Sequence, residues 1–566
     1  MNKIKLPYGI SDFKSLREQG YLYVDKTPYI EKLESFNSKY LFFIRPRRFG
    51  KSLFLSTLQH YYDRNEKDNF AALFGDLHIG RQPTRLQNSY CVLELDFSGL
   101  NTGSRQELLA SFNLKLKDSV CAFIDKYAEF FEVPFSLKEE LNRRNDAGAI
   151  LNLIIHELQK TGQKMYLIID EYDHFANDII AMGDGQFYKD VVRAAGFVRD
   201  FYEAVKIGTK SVIDRIFITG VSPIMLDDLT SGFNISTNLT MNVLVNEMLG
   251  FTESEVGVII EQAGIDMNRE ALMDDLRKSY NGYLFNEEGR SRVYNPDMIL
   301  YFFNEWQMRG KYPRKLIDEN VKTDYGRIRR LITNESSREM LDEIIHNEQI
   351  TADIVPKFSF DRMYDEQYFV SLLFYMGLLT IDRAEKTRLL LKIPNFVIKV
   401  IFWEHIEQEL RREYRIQPNL EEMRKSIEQM AFEGTITPFI QYVSEEVLKP
   451  LSNRDLQRFS EKHIKVILFA YLTGSRAYRP CSERETENGY IDIFLEKDPR
   501  IPDIQYEWII ELKYLKKSDA DKLAETKTEG LAQLKRYAES RGLANRSDVK
   551  QALVIFIGKG EAVVVE

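Results

Sequence analysis

The sequence predicts an α/β protein with a parallel sheet covered by helices in its first half, a mainly helical middle, and a smaller α/β domain at its C-terminal end. Three observations predict it. Short apolar runs at Tyr40–Ile44, Cys91–Leu95, Tyr166–Ile169 and Ile216–Thr219 are separated by long helical stretches, and a strand with no polar face belongs in a sheet buried on both sides. After about residue 245 the texture becomes mainly helical, punctuated by turn signals. From residue 455 strand-like and helical runs alternate again over a short span.

Composition bounds the rest. A chain of 566 residues exceeds one hydrophobic core and is expected to split into domains, placed at 1–245, 246–345, 346–450 and 451–566. Charged residues number 77 basic and 86 acidic, a net charge of −9, so there is no global basic signal for nucleic acid and any DNA contact rests on local patches. Cys91, Cys121 and Cys481 lie far apart without a CxxC pair, which excludes a disulfide framework and a zinc knuckle and fits a reducing compartment. The seven histidines form no HExxH spacing. Residues 1–20 hold no apolar secretory core, and the stretch around Phe369–Leu379 falls short of the roughly 20 residues of a membrane span. A soluble cytoplasmic protein is expected.

Each element has a local reason. The strand Tyr40–Ile44 leads into a helix from about Lys51 to Tyr62, and the strand Cys91–Leu95 ends at Asp96. Helices follow near Glu107–Phe131 and Ala149–Thr161, the latter with Leu151, Ile154, Ile155 and Leu158 at helical period. Thr252 before Glu255 has the spacing of a capping box and starts a helix over Phe251–Gln262. Tyr280-Asn-Gly-Tyr283 and Tyr294-Asn-Pro296 are turn signals. Residues 366–402 read as a helix ending at Gly377, a hairpin of Leu378–Ile381 and Leu389–Ile393, and another helix; a winged-helix unit and an unrelated α+β connector both suit that order. Residues 405–450 read as a charged helical arm. The last domain reads as a helix bearing Ile464, Ile467, Leu468 and Tyr471, strands at Tyr490–Leu495, Trp508–Leu512 and Ala552–Ile557, and a helix near Gly530–Ser540 before the last strand.

Gly50-Lys51-Ser52 stands between a buried strand and an amphipathic helix. That is the context of a P-loop, in which backbone amides and a helix N-terminus face phosphates, a lysine adds charge, and a hydroxyl reaches Mg²⁺. The usual first glycine is absent: Arg45 stands there, and the loop reads Arg45-Pro46-Arg47-Arg48-Phe49, so it must close differently. Asp170-Glu171 ends the third strand. Asp170 is placed to hold Mg²⁺ with Ser52, and Glu171 to polarise the attacking water. Thr219, at the end of the fourth strand, is a candidate γ-phosphate contact. Arg193, Arg199 and Arg215 are candidate arginine fingers or ordinary surface charges.

A second constellation lies near the C-terminus. In Glu511-Leu512-Lys513 the two charged side chains share a strand face, and Asp492 on the preceding strand is expected opposite Glu511. Asp492, Glu511 and the Leu512 carbonyl would form an oxygen cage for Mg²⁺, with Lys513 positioning the hydrolytic water. Gln533 and Tyr537 share a helix face, Glu485 or Glu487 is a candidate third acid, and Lys516, Lys517, Lys522, Lys535 and Arg536 line a DNA groove or a solvated face.

Gly9-Ile-Ser11, Tyr23-Val-Asp-Lys-Thr27, Arg45-Pro-Arg-Arg-Phe-Gly-Lys-Ser52, Asp170-Glu-Tyr-Asp173, Thr219-Gly-Val-Ser222, Tyr280-Asn-Gly-Tyr283 and Tyr294-Asn-Pro296 resemble the bacterial AAA-ATPase-like proteins that carry a C-terminal PD-(D/E)XK nuclease domain. The resemblance covers most of the chain. It implies that the Arg45–Ser52 loop stands in for the standard Walker A, with Arg45, Arg48, Phe49, Gly50, Lys51, Ser52, Asp170 and Thr219 serving the nucleotide. It further implies that Asp492, Glu511, Lys513 and the helix glutamine Gln533 belong to a nuclease core. Two residues depart from the family pattern: His174 replaces a lysine, and Gly489-Tyr490 replaces Gly-Arg. The expected function is ATP binding and hydrolysis coupled to a Mg-dependent endonuclease acting on DNA. The alternative is a nucleotide-dependent switch or scaffold whose nuclease-like domain binds nucleic acid or partners without cutting. A homo-oligomer is left open.

Overall fold

Five strands build the first sheet: β1 (Tyr40–Ile44), β2 (Cys91–Asp96), β3 (Met165–Asp170), β4 (Ile213–Gly220) and β5 (Thr237–Asn238), in the order β2-β3-β4-β1-β5 with every pairing parallel. The computed structural model describes residues 4–182, 185–192, 196–225, 233–265, 267–319, 321–322, 335–357, 365–413, 416–451, 461–544, 546–558 and 560–566. These fall into two units, one of residues 1–308, 315–344 and 349–395, the other of 309–314, 345–348 and 396–566. Among the described residues no helix is long and apolar enough to cross a membrane.

In the first unit β3 is buried along its whole length, as its unbroken apolar run requires. Helices Lys51–Tyr62, Arg105–Lys126, Ala147–Lys160 and Phe197–Gly208 supply the crossovers that parallel strands need. The expected 107–131 helix stops at Lys126 and gives way to a 3₁₀ turn, Ala128–Phe130. Parallel pairing brings Ile44, Asp96, Asp170 and Gly220 to one edge of the sheet, the edge where open α/β sheets bind ligands.

The capping box forms as expected: Glu255 N donates to Thr252 Oγ1 at 3.3 Å, and Thr252 N donates to Glu255 Oε2 at 2.7 Å. The Tyr280–Tyr283 turn depends on Gly282, whose φ is +119° and where a Cβ would sit 2.1 Å from the Pro394 carbonyl oxygen. The helix Glu366–Tyr375 precedes β7 (Thr380–Glu385) and β8 (Arg388–Lys392). An upstream strand, β6 (Gln349–Ala352), completes a three-stranded antiparallel sheet in the order β6-β8-β7.

In the second unit β9 (Tyr478–Thr486), β10 (Gly489–Lys497), β11 (Glu507–Leu515), β12 (Val549–Ile557) and β13 (Glu561–Val565) form a mixed sheet in the order β13-β12-β11-β10-β9. Only β11–β12 is parallel. The edge strands β9 and β13 were not foreseen, since the mostly polar Tyr478–Thr486 run reads as loop until β10 pairs with it. Leu534 and Tyr537 of the helix Leu523–Ala538 pack on Ile491, Phe494, Ile509 and Leu553. The expected arm at 405–450 is corrected. The helix Leu420–Glu428 runs into a π-helical turn, Gln429–Glu433, with Met423, Ile427 and Met430 buried. Trp508 Nε1 of β11 donates to the Met430 carbonyl at 3.1 Å. These helices belong to the core because their apolar residues have a sheet to cover.

Candidate functional site

The loop after β1 closes without its first glycine because two other residues take left-handed backbone: Arg48 at φ +64° and Gly50 at φ +89°. A non-glycine residue there costs on the order of 1 kcal/mol, so packing must hold it. Phe49 is buried edge-on against Tyr283 and Phe285, with ring centroids 5.0 and 5.6 Å away. Gly377, at φ +79°, leaves room for the Pro46 ring, which a Cβ would meet at 2.9 Å.

Lys51 Nζ is buried and donates to the carbonyls of Arg45 and Pro46, each at 3.2 Å. Ser52 Oγ donates to Asp170 Oδ2 at 2.7 Å, and Asp170 Oδ1 accepts the Glu171 amide at 2.8 Å. Burial pushes the Asp170 carboxyl up to about 6, with the Ser52 hydrogen bond opposing and the Glu171 charge adding to the rise. Glu171 takes φ +50°, and its Oε2 lies 3.8 Å from His174 Nδ1. All of these side chains except Arg45 and Pro46 border a cavity of about 560 Å³, which Asp96 also faces. Its other walls are the N-terminal strap (Leu22, Val24) and an apolar patch of Met248, Leu249, Pro296 and Leu300.

These residues fit a magnesium nucleotide. A hydroxyl and a carboxylate already share one point, a buried ammonium stands in the loop, and an apolar wall suits a base.

Two residues expected at the nucleotide, Arg45 and Thr219, do not line the cavity. The Arg45 side chain turns away from the cavity. It donates to the carbonyls of Ile44 (3.0 Å), Thr240 (2.7 Å) and Val245 (3.2 Å) and lies over the Phe43 and Phe285 rings at 4.2 and 3.9 Å. Phe49 borders the cavity while its ring packs on Tyr283 and Phe285. Thr219 is buried off the cavity, and its hydroxyl makes no hydrogen bond. Arg215, near the start of β4, is buried beside the hydroxyls of Tyr62, Tyr166 and Tyr90, at the opposite end of the strands from the cavity. Arg199 pairs with Glu203 at 2.9 Å and does not line the cavity, while Arg193 lies outside the described residues. Asp173, quoted in the sequence only as the end of a motif, has a structural role: its carboxylate accepts the amides of Val221 (3.0 Å) and Ser222 (2.7 Å) and the Ser222 hydroxyl (2.8 Å), tying the ends of β3 and β4 together.

In the second unit the β10–β11 register pairs Ile493 with Ile510, which sets Asp492 opposite Glu511. Asp492 Oδ2 accepts the Leu512 amide at 3.1 Å. Lys513 Nζ lies 2.6 Å from Glu511 Oε1 and 4.0 Å from Asp492 Oδ2. Burial and then the Asp492 charge raise the Glu511 carboxyl above its usual range. Its Oε2 is buried without a hydrogen-bond partner, as is Gln533 Oε1. Among the described residues no three His, Cys, Asp or Glu side chains converge to hold a metal by themselves. A cation there would therefore need backbone oxygen as well, the part assigned to the Leu512 carbonyl. The unpartnered Glu511 oxygen beside a second carboxylate fits a divalent cation.

No third acid joins Asp492 and Glu511 to form a metal cluster among the described residues. Glu487 Oε1 accepts the Arg541 amide at 2.7 Å and Glu485 lies on β9 opposite Tyr490. Glu461, at the start of the helix Glu461–Ser475, feels the charges of Asp492 and Lys513, and burial followed by the Asp492 charge raises its carboxyl. It opens a helix 31 residues before Asp492, with no motif to announce it. Tyr537 feels Glu511 and Asp492, burial leading the rise of its hydroxyl. Lys516, Lys517, Lys522, Lys535 and Arg536 are exposed, Lys522 paired with Asp519 at 3.1 Å.

Comparison with known proteins finds two family matches along the chain. Residues 7–230 match the AAA-ATPase-like family, described as predicted AAA-ATPases, and residues 459–566 match the PD-(D/E)XK nuclease superfamily. An uncharacterized protein in the vnfD 5′ region of Azotobacter chroococcum mcd 1 is 26% identical over 418 residues, covering 70% of this chain and 69% of that protein. A Walker-type ATPase of Pyrococcus abyssi aligns with 71% of this chain and 98% of its own at 12% identity and a TM-score of 0.38. A signal-transduction ATPase with a tetratricopeptide repeat sensor from Pyrococcus horikoshii aligns with 81% of this chain and 53% of its own, at 12% identity and a TM-score of 0.25.

Proposed function

We propose that the chain, whose residues 7–230 match the AAA-ATPase-like family and whose residues 459–566 match the PD-(D/E)XK nuclease superfamily, binds and hydrolyses ATP and that nucleotide occupancy governs a Mg-dependent endonuclease acting on DNA. The observation that carries the reading is the Ser52–Asp170 pair at 2.7 Å on the wall of a cavity that Lys51 and Glu171 also line. Lys51 holds phosphate, Ser52 and Asp170 hold the cation, and Glu171 orients and deprotonates water. In the C-terminal domain Asp492, Glu511 and the Leu512 carbonyl hold a cation, Lys513 positions water, and Gln533 supports that arrangement. A divalent cation, when bound, neutralises phosphate charge and polarises water.

A second reading, a nucleotide switch whose nuclease-like domain binds without cutting, is favoured by Tyr490, which is exposed where the resembling family carries an arginine for DNA phosphate. The test is cleavage of single- and double-stranded DNA in Mg²⁺ or Mn²⁺, with and without ATP, using Lys51→Ala and Glu511→Ala as controls. Cutting lost in Glu511→Ala and altered in Lys51→Ala supports the proposal. ATP hydrolysis with no nicking of any DNA sinks the nuclease half and leaves the switch.

A further inference from the structure

The loop after β1 and the helix Pro296–Arg309 meet at one ion pair on the cavity wall. Arg48 Nη1 lies 3.3 Å from Asp297 Oδ2, and both residues line the cavity. Beside them Asn295 ties the same two segments. Its Oδ1 accepts the Asp297 amide at 3.0 Å, and its Nδ2 donates to the Arg47 carbonyl at 3.5 Å. Tyr8 joins the cluster from the N-terminal segment. Its hydroxyl is bonded to Asp318 and feels the charges of Asp297 and Arg48, and its ring stands 6.1 Å from that of Tyr301 on the helix. Loop and helix thus meet at Asp297, with Tyr8 beside them.

Arg48 is suited to a second partner. A guanidinium binds a carboxylate or a phosphate through the same planar fork, and a triphosphate presents more negative charge than one carboxylate. Asp297 keeps support when the pair opens, because it lies in the first turn of a fourteen-residue helix, where the helix dipole favours a negative charge. Both arrangements are therefore stabilised, as a two-state element requires. Arg48 also takes left-handed backbone, at φ +64°.

We propose that Asp297 is a positioning residue that competes with the terminal phosphate of ATP for Arg48, so that ATP binding draws Arg48 from the pair and loosens the helix from the loop. The inference rests on the cavity being an ATP site.

The test is a double-mutant cycle on ATP and ADP affinity, measured calorimetrically on the full chain, with Lys51→Ala as the control for the site. Asp297→Asn is expected to tighten ATP binding about three- to tenfold, the scale of a partly exposed ion pair, and ADP binding less. In an Arg48→Gln background the same change is expected to do nothing. Asp297→Ser serves as a second variant should the first fail to fold. Unchanged or weaker ATP binding in Asp297→Asn, or an equal gain without Arg48, overturns the proposal while Lys51-dependent binding by the unaltered chain keeps the ATP site. Absence of ATP binding by the unaltered chain overturns both.

Discussion

Asp492 accepts the Leu512 amide at 3.1 Å and so stands beside Glu511, whose Oε2 is buried without a partner. Two carboxylates this close repel unless a cation joins them. Glu511→Gln should therefore raise the melting temperature of the metal-free protein while lowering Mg-dependent cleavage at least about a hundredfold. A variant that keeps cutting, or that melts lower in chelator, would contradict this account of the pair.

Lys51→Ala should remain folded. Its ammonium satisfies two loop carbonyls, and losing those hydrogen bonds costs about 1 kcal/mol. Nucleotide affinity should fall about tenfold or more, since the point charge facing phosphate is lost. Thermal melts and calorimetric titration with ATP separate the two effects.

The Asp170 carboxyl, raised from 3.8 to about 6 by burial, makes the metal-free fold weaker at high pH. A raised acid is neutral in the native state below its folded pKa, so the penalty is small below about pH 4, grows through the window, and is complete above about pH 6. Asp170→Asn should then stabilise the metal-free protein by about 2–3 kcal/mol at pH 7.5 and by much less at pH 4. Paired melts at the two pH values check the sign.

Arg45→Ala should destabilise the protein by about 3 kcal/mol or more, because it leaves buried carbonyls without donors and opens a gap between Phe43 and Phe285. Direct phosphate binding by Arg45 predicts the opposite pattern: an intact melt and lost affinity.

Gly377→Ala should cost about 1–3 kcal/mol, through a left-handed backbone and a clash with Pro46. It should also weaken ATP binding from a position more than three hundred residues away in the chain, measurable by the same titration.

The strands β1 to β4 were legible because each is a local apolar run, and their ends supplied Asp170 and the loop glycine. The C-terminal pair was legible because alternation in a strand is local too: Glu511 and Lys513 share a face, and their side chains meet at 2.6 Å. The Leu22–Val24 strap, His174 and Asp96 were not identified as cavity walls, since nothing in their own neighbourhoods marks a ligand. β9 was missed because a polar edge strand is defined by its partner.

Sequence alone determined the fold class, the Gly50-Lys51-Ser52 loop and the carboxylates Asp170, Glu171, Asp492 and Glu511, all features set by spacing within a few residues. Tertiary structure alone decided which way each loop side chain faces. Arg45 and Phe49 turn inward because carbonyls and rings from residues 240–285 wait there, whereas Arg48 reaches the cavity wall to meet Asp297. Those partners lie some 200 residues along the chain, and a hydrogen bond or ion pair exists only once folding has brought both ends together.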